Sequence, residues 1–270
     1  MRKIVHISDV HFGMADLTVV ERLIESINEL QPDLLVVSGD LTQRAKSREF
    51  SAARAMLDRL SMPQIVVPGN HDVPMYNVYQ RFAEPLTKFK KFISKDLSPF
   101  FSDAELAVAG VNTARSLTIK GGRISAEQVA EIRRKMDSLP ERLLKIIVTH
   151  HPFDVPEGED ENDIVGRAKD ALPLIAESGA DVFLSGHLHV SHIGYSARRY
   201  RLDDGYSALI IQAGTAASTR ERGEVNSFNL LEFEHPMLTV KRYQCSVPTE
   251  GFRLAASEQF THDSHGWARG

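Results

Sequence analysis

Five short polar motifs contain the residue types that bind metal ions, and each follows a short apolar run. They are Asp9-Val10-His11, Gly39-Asp40, Gly69-Asn70-His71-Asp72, His150-His151-Pro152 and Gly186-His187-Leu188-His189. Imidazole and carboxylate ligands together suit Zn, Fe, Mn or Co, whereas Mg and Ca prefer shells made only of oxygen. Because Cys245 is the single cysteine of the chain, a cysteine-rich zinc site and an intrachain disulfide are excluded.

The candidate ligands in these motifs are too many for one metal ion. They are Asp9, His11, Asp40, Asn70, His150, His187 and His189. One ion cannot take all of these ligands and keep an open coordination position, but two ions that share a carboxylate can. A pair of ions about 3.5–4 Å apart suits phosphoester hydrolysis, because it binds both the attacking and the leaving oxygen.

Each motif alone also has a plainer interpretation. An Asp-x-His sequence after a strand more often forms a hydrogen-bonded loop, and a Gly-Asp pair is usually a turn. The His-His-Pro motif could equally be a solvated strand end, and Gly-His-x-His alone is a metal motif about half of the time. Their joint occurrence after predicted strands favours a centre with two metal ions.

Alternating strands and helices must position these motifs. Continuous apolar runs predict buried strands at 3–8, 34–37, 65–67, 106–111, 143–149 and 181–185. Helical spacing predicts helices at 18–30, 47–60, 77–95, 125–139 and 165–178, with capping boxes at Thr18 and Glu21 and at Ser125 and Gln128. Because such alternation implies parallel strands, whose carboxyl ends bind ligands, one cleft could gather the motifs.

The pattern changes after His189. Short runs at 192–201, 207–213, 227–234 and 237–244 predict antiparallel strands. Residues 1–248 are therefore expected to form one α/β domain with two packed sheets and helices outside. The polar residues 249–270 are expected to form a C-terminal tail on the surface.

Charge and hydropathy narrow the choice of partners. Domains that bind nucleic acid polymers through their overall charge are usually basic. Because the net charge is −4 over 270 residues, such binding is not expected. The segment Asp154–Asp163 contains six acidic and no basic residues, so a solvated loop is expected there; above the cleft it would repel polyanions and favour small substrates. The absence of a signal peptide or a long apolar run predicts a cytoplasmic protein without membrane partners. The oligomeric state stays open, and a homodimer is one state that the sequence allows.

The order of the motifs resembles the calcineurin-like metallophosphoesterase superfamily. The superfamily pattern is D-x-H, G-D, G-N-H-D or G-N-H-E, a histidine two residues before a proline, and G-H-x-H. All five blocks are complete between Asp9 and His189. The resemblance implies a four-layer α/β/β/α sandwich of two mixed sheets. Within the superfamily, the stretches from Ile7 to Gly13 and from Val67 to Asp72 look like the class III cyclic nucleotide phosphodiesterases.

The resemblance also implies roles for the candidate ligands. Asp9, His11 and His189 would hold one metal ion, and Asn70, His150 and His187 would hold a second. Asp40 and a hydroxide would bridge the two ions, which would be Fe, Mn or Zn. His71 would contact the phosphate and protonate or stabilise the leaving oxygen. His150 is preferred to His151 as a ligand because it lies two residues before Pro152.

Two further residues are candidates for the chemistry. Asp72 follows His71 directly and could orient its imidazole. Arg115 follows a predicted strand and could bind a phosphate with its guanidinium, although a surface arginine in a loop is as good an interpretation. Together with Asn70 and His71, Arg115 makes up the expected substrate contacts.

The leading expectation is a metal-dependent phosphodiesterase that hydrolyses a small phosphodiester, with a 3′,5′-cyclic nucleotide such as cAMP first. The alternatives within the superfamily are a 2′,3′-cyclic nucleotide, a glycerophosphodiester, a nucleotide–lipid pyrophosphate, a phosphomonoester or a nucleic acid. The acidic segment and the net charge disfavour a nuclease, and the lack of an apolar amphipathic insert disfavours a lipid substrate. A non-catalytic interaction scaffold is the alternative of another class, which the complete ligand set and His71 disfavour.

Overall fold

Two mixed β-sheets lie face to face at the centre of the protein. The computed structural model describes residues 1–75, 78–118, 120–202, 205–219 and 224–270. In chain order the elements are β1 (Arg2–Ile7), α1 (Leu17–Leu30), β2 (Leu34–Val37), α2 (Ser47–Leu57), β3 (Gln64–Val66), α3 (Val78–Ala83), α4 (Thr87–Phe92), β4 (Phe100–Ser102), β5 (Leu106–Gly110), α5 (Ala126–Met136), β6 (Leu144–Val148), α6 (Ala168–Ala176), β7 (Val182–Ser185), β8 (His192–Tyr195), β9 (Leu209–Gln212), β10 (Asn226–Glu234), β11 (Met237–Cys245), β12 (Arg253–Asp263) and β13 (Gly266–Arg269).

Parallel strands form one side of the first sheet and the middle of the second. Within the described ranges, the first sheet has the order β13-β12-β11-β10-β1-β2-β3, and the second has the order β4-β5-β6-β7-β9-β8. Strands β1, β2 and β3 are parallel, as are β5, β6, β7 and β9. Strand β9 had been expected to be purely antiparallel, but it pairs in parallel with β7 and antiparallel with β8.

Three apolar cores separate four layers. Side chains such as Val36, Val108 and Leu231 are buried between the two sheets. Helices α1 and α2 cover the outer face of the first sheet, and α5 and α6 cover the outer face of the second. Full burial of a side chain of this size contributes about 1.5–3 kcal/mol, so these cores stabilise the layered arrangement. The predicted α/β/β/α sandwich is confirmed.

The five predicted helices are present but differ in at least one bound, and two of them also differ in their cap or their continuity. Helix α1 is capped by Asp16, whose Oδ1 accepts a hydrogen bond from the Thr18 amide at 2.8 Å, so the capping box expected at Thr18 is wrong. The box at Ser125 and Gln128 is confirmed. The helix expected at 77–95 is divided into α3 and α4, since Pro85 lies between them. Residue 77 lies outside the described residues.

The expected C-terminal tail is wrong. Strand β12 pairs with β11, and β13 pairs with β12, so this segment continues the first sheet. Phe260 and Trp267 are buried in the core between the sheets, whereas most other side chains of the two strands are exposed. A strand with few buried residues has a weak apolar period, which explains why the sequence read as a polar tail.

No helix in the described ranges is both long and apolar enough to cross a bilayer.

Candidate metal centre

The loops that follow the parallel strands converge at one edge of the two sheets. Asp9 and His11 follow β1, Asp40 follows β2, and Asn70 follows β3. The second sheet contributes His150 after β6 and the His187 and His189 pair after β7. All seven side chains are buried. The structure thus brings together every candidate ligand at the carboxyl ends of strands, as expected for an α/β sheet.

Asp9, His11 and His189 form the first cluster. The Oδ1 atom of Asp9 lies 3.5 Å from the Nε2 atom of His11 and 3.5 Å from the Nε2 atom of His189. The two imidazole Nε2 atoms are 3.4 Å apart, and the rings are stacked. This Asp9 oxygen makes no hydrogen bond with any of the described residues. A buried carboxylate oxygen between two imidazoles is a ligand arrangement that a cation would complete.

Asn70, His150 and His187 form the second cluster. The Oδ1 atom of Asn70 lies 3.0 Å from the Nε2 atom of His150 and 3.1 Å from the Nδ1 atom of His187. The same two ring nitrogens are 3.3 Å apart. One amide oxygen and two ring nitrogens therefore converge, in the combination that the sequence predicted for a second ion.

Asp40 lies between the clusters. Its Oδ2 atom is 3.4 Å from the Nε2 atom of His150 and 3.7 Å from the Nε2 atom of His11. Its other oxygen accepts a hydrogen bond from the His71 amide at 2.8 Å. Because one oxygen is bound to the backbone, the second is directed toward both clusters, as a bridging ligand would be.

The backbone of the site is strained. Asp9, His11, Asp40, His187 and His189 have left-handed backbone, with φ between 51° and 78°. Such a conformation costs a non-glycine residue about 1–3 kcal/mol and persists only where the surrounding structure enforces it. These residues make up most of the non-glycine residues with positive φ in the described ranges. The strain is therefore concentrated where the candidate ligands must be aimed inward.

Close contact between the ligand loops depends on two glycines. A Cβ atom on Gly69 would collide with the Asp40 carboxylate, and one on Gly186 would collide with Ser8 and approach Asp9. Larger residues at these positions would push the loops apart. The glycines of the motifs thus have a packing role in addition to their role in turns.

Hydrogen bonds orient the imidazole rings. His150 donates from Nδ1 to the carbonyl oxygen of Ser38 at 2.8 Å, which directs its Nε2 atom inward. The Nδ1 atom of His189 lies 2.8 Å from the hydroxyl of Thr215. Such outer partners fix the ring orientation of metal-binding histidines.

Opposite charges shift the pKa values of the buried groups. Burial alone would raise the pKa of Asp40, but the charge and hydrogen bond of His150 hold it well below its ordinary value. Burial lowers the pKa of His150, yet the Asp40 and Asp9 carboxylates raise it to about 9. The site therefore attracts positive charge, and two divalent cations could take the place of the bound protons. The donor set and its charge fit two metal ions.

Asp72 does not orient His71 as the sequence suggested. Its oxygens accept hydrogen bonds from the amides of Gly69, Leu41 and Thr42 at 2.9–3.3 Å. His71 instead has its Nδ1 atom 2.9 Å from the carbonyl oxygen of Gln43, which can only accept, so the ring donates. Through these hydrogen bonds, the Asp72 carboxylate links the loops after β2 and β3. It therefore cannot also point toward the imidazole of the neighbouring His71.

We expect Asp72→Asn to lower the free energy of unfolding of the protein more than it lowers the rate of hydrolysis. An asparagine replaces one accepting oxygen by an amide donor, which leaves buried amides of the two loops without a partner, at a cost of about 1–3 kcal/mol. Urea unfolding of the metal-free protein should show this loss, with the exposed Glu159→Gln as the matched control. A variant with unchanged stability and a lower rate would restore the orienting role of Asp72.

Arg115 does not present a free guanidinium. It donates to the carbonyl oxygens of Asn112 and Ala114 at 3.2 and 3.1 Å, and to Oε1 of Gln128 at 2.7 Å. It lines a cavity of about 450 Å³ together with Lys90. Because these hydrogen bonds occupy the guanidinium, the expected contact with a phosphate stays a prediction.

His151 has a role that the sequence left open. Its Nε2 atom donates to the carbonyl oxygen of Lys120 at 2.7 Å, so its Nδ1 atom accepts from the hydroxyl of Thr113 at 2.8 Å. Burial and the nearby His187 hold the pKa of His151 well below its ordinary value, so the ring is neutral. Both ring nitrogens are used, which favours His150 as the ligand and makes His151 a support for the segment that carries Thr113.

The acidic segment is not simply solvated. Asp154 is fully buried and contacts Arg199, which also binds Glu161 at 2.6 Å. Asp163 reaches the site, with its Oδ1 atom 3.5 Å from the Nε2 atom of His187. Arg198 also lies 3.8 Å from the Glu157 carboxylate, and the sequence did not predict these ion pairs. The sequence did contain a signal for this pairing, because the basic run 198–201 lies in the same half of the chain as the acidic segment 154–163.

Known proteins have similar sequences and a similar fold. The probable glycerophosphodiester phosphodiesterase GpdQ of Arcobacter nitrofigilis is 24% identical over 204 residues, which are 69% of this chain and 71% of that protein. The 3′,5′-cyclic adenosine monophosphate phosphodiesterase CpdA of Pseudomonas aeruginosa is 27% identical over 207 residues, or 69% of each protein. The purple acid phosphatase PPD1 of yellow lupin, Lupinus luteus, has a similar fold, with a TM-score of 0.73 and 13% identity over 97% of this chain and 54% of that one.

A family model links the motifs and the fold. The model of the calcineurin-like phosphoesterases matches residues 2–191, a range that contains all five motifs and both clusters. Because this match covers well over half of the chain, the protein belongs to the calcineurin-like phosphoesterase family.

Proposed function

We propose that this phosphoesterase is a metal-dependent phosphodiesterase of small phosphodiesters, with 3′,5′-cyclic nucleotides as the first substrate class. The family is hydrolytic, so the chain is an enzyme that hydrolyses phosphoesters. The observation that carries the proposal is the placement of Asp40 between two ligand clusters, with His71 on the next loop. The metals would be Fe, Mn or Zn, which imidazole and carboxylate donors suit.

Different side chains would have different roles in hydrolysis. Two bound cations would neutralise the anionic diester and activate a water molecule as the nucleophile. Asp9, His11, His189, Asn70, His150, His187 and Asp40 would hold them. Asn70 and His71 would also contact the phosphate, because they share one loop. His71 is partly exposed, unlike the buried ligands, and would give a proton to the leaving oxygen.

The substrate class is inferred from charge and from the relatives. CpdA of Pseudomonas aeruginosa is named for a cyclic nucleotide, and GpdQ of Arcobacter nitrofigilis is named for a glycerophosphodiester. Both of these named substrates are small diesters. The net charge of −4 and the exposed acids Glu157, Glu159 and Asp160 disfavour a polyanion. A glycerophosphodiester is therefore the second candidate. A cytoplasmic location and a homodimer stay predictions from the sequence.

A substrate panel tests the proposal. The metal-free protein is loaded separately with Fe, Mn and Zn and assayed on 3′,5′-cAMP, 2′,3′-cAMP, glycerophosphodiesters, a nitrophenyl diester and single-stranded DNA. We expect a much higher kcat/KM for 3′,5′-cAMP than for the DNA. Equal efficiency on DNA would replace the proposal by a nuclease, and metal binding without turnover of any diester would favour a scaffold.

A further inference from the structure

His187 is oriented differently from the other imidazole of its cluster. His150 turns its Nε2 atom inward because its Nδ1 atom donates to a backbone carbonyl. His187 turns its Nδ1 atom inward, 3.1 Å from the Oδ1 atom of Asn70. Its Nε2 atom therefore lies on the far side of the ring, where the Oδ1 atom of Asp163 is 3.5 Å away. The outer partner of this ring is a carboxylate from the acidic segment.

The local structure holds Asp163 in place. Asp163 ends a short 3₁₀ turn, Glu161–Asp163, and its amide donates to the carbonyl oxygen of Asp160 at 3.0 Å. The Glu161 carboxylate at the start of the turn is bound by Arg199 at 2.6 Å. Two residues after the turn, the amide of Val165 donates to the carbonyl oxygen of Pro152 at 2.8 Å. The turn is thus tied down on both sides of Asp163.

The chemistry of a ligating imidazole gives this contact a function. A neutral histidine that binds a cation through Nδ1 must carry its proton on Nε2. A carboxylate that accepts this proton selects that tautomer, fixes the plane of the ring and makes Nδ1 more basic. Loss of such a partner typically lowers metal affinity about 10–100-fold. The Asp163 side chain is 25% exposed, so solvent screening places the expected effect near the lower end of that range.

We propose that Asp163 is a positioning residue for the second metal ion, which acts by holding the Nδ1 atom of His187 toward Asn70 and His150. This inference rests on the dinuclear centre of the proposed function. It gives the end of the acidic segment a part in metal binding, in addition to any effect on substrate charge.

A double-variant cycle isolates the second site. Binding of Mn²⁺ alone to the metal-free chain is measured by calorimetry and equilibrium dialysis, without substrate. In a His189→Ala background, which removes the first site, Asp163→Asn should raise the remaining dissociation constant about tenfold. In a His187→Ala background, which removes the imidazole that Asp163 contacts, the same substitution should change the remaining constant less than about twofold.

Further variants separate positioning from a general structural role. Asp163→Glu keeps an accepting carboxylate and should recover most of the affinity. Glu159→Gln removes an exposed charge from the same segment and should leave the affinity unchanged. Thr215→Val removes the hydroxyl beside His189 and should weaken the first site instead.

The outcomes distinguish this inference from the proposed function. If the wild-type chain binds two ions and Asp163→Asn retains the affinity of the second site, the role of Asp163 is overturned and the dinuclear centre stands. Equal losses in the two backgrounds would also overturn it, since they indicate a general structural effect. A wild-type chain that binds one ion or none overturns both.

Discussion

Replacing Asp40 by asparagine is expected to lower the bound metal below two ions per chain and to nearly abolish hydrolysis. The Oδ2 atom of Asp40 lies 3.4 Å from His150 and 3.7 Å from His11, so it is the carboxylate oxygen that both clusters share. An amide in its place has no negative charge. Because the loss of an outer-shell partner alone costs about 10–100-fold, the loss of a shared ligand should lower kcat/KM at least about 100-fold.

Metal analysis and kinetics on the same preparation check this prediction. Each sample is dialysed against the chosen metal, its metal content is measured, and hydrolysis of a nitrophenyl diester is followed. Glu29→Gln, an exposed change on α1, is the matched control and should behave as the wild type. Full metal content together with full activity in Asp40→Asn would remove Asp40 from its bridging position.

Replacing His71 by alanine is expected to keep both metal ions and to lose rate. The His71 ring donates from Nδ1 to the carbonyl oxygen of Gln43 at 2.9 Å, which leaves Nε2 as the atom that would transfer the proton. The ring lies edge-on to that of His11, with centroids 4.9 Å apart, so it is beside the first cluster. General acid catalysis typically contributes about 10²–10⁴-fold, and we expect a loss of that size on an alkyl leaving group.

The dependence on the leaving group separates acid catalysis from a loss of binding. A nitrophenolate leaves with little help, whereas an alkoxide of high pKa needs the proton, so the loss should be larger for the alkyl diester. His265→Ala removes an exposed histidine outside the site and is the control. A loss of one metal ion, or equal losses for both leaving groups, would argue against the role of His71 as an acid.

The residue types and their positions after apolar runs were enough to predict much of the site. Buried strands such as β2 are continuous apolar runs, and their period needs no distant partner to be recognised. Once the strands are taken as parallel, the polar residues that follow them must lie at one edge. The structure accordingly brings Asp9, Asp40, Asn70 and His187 together. That these side chains bind metal ions stays a prediction, which the metal analysis of the variants above would test.

Contacts between distant segments could not be predicted from the sequence. Asp72 is adjacent to His71 in the chain, but its oxygens are taken by amides of the β2 loop, about 30 residues away. Arg115 has donors of the right geometry for phosphate, but it binds Gln128 and nearby carbonyls instead. In both cases, several partners can satisfy the same polar group, and the approach of another element decides among them.

Local periods and the direction of parallel strands were enough to predict two packed sheets and one edge that gathers the five motifs. The resemblance of these motifs to a known superfamily added the four-layer sandwich and the roles of the candidate ligands. Only long-range packing fixed which side of the His187 ring faces inward, that Asp163 lies behind it, and that residues 253–269 extend the first sheet. These features depend on which surfaces meet across long stretches of chain. Such meetings are set by the packing of the layers as a whole, since no short segment encodes the position of its distant partner.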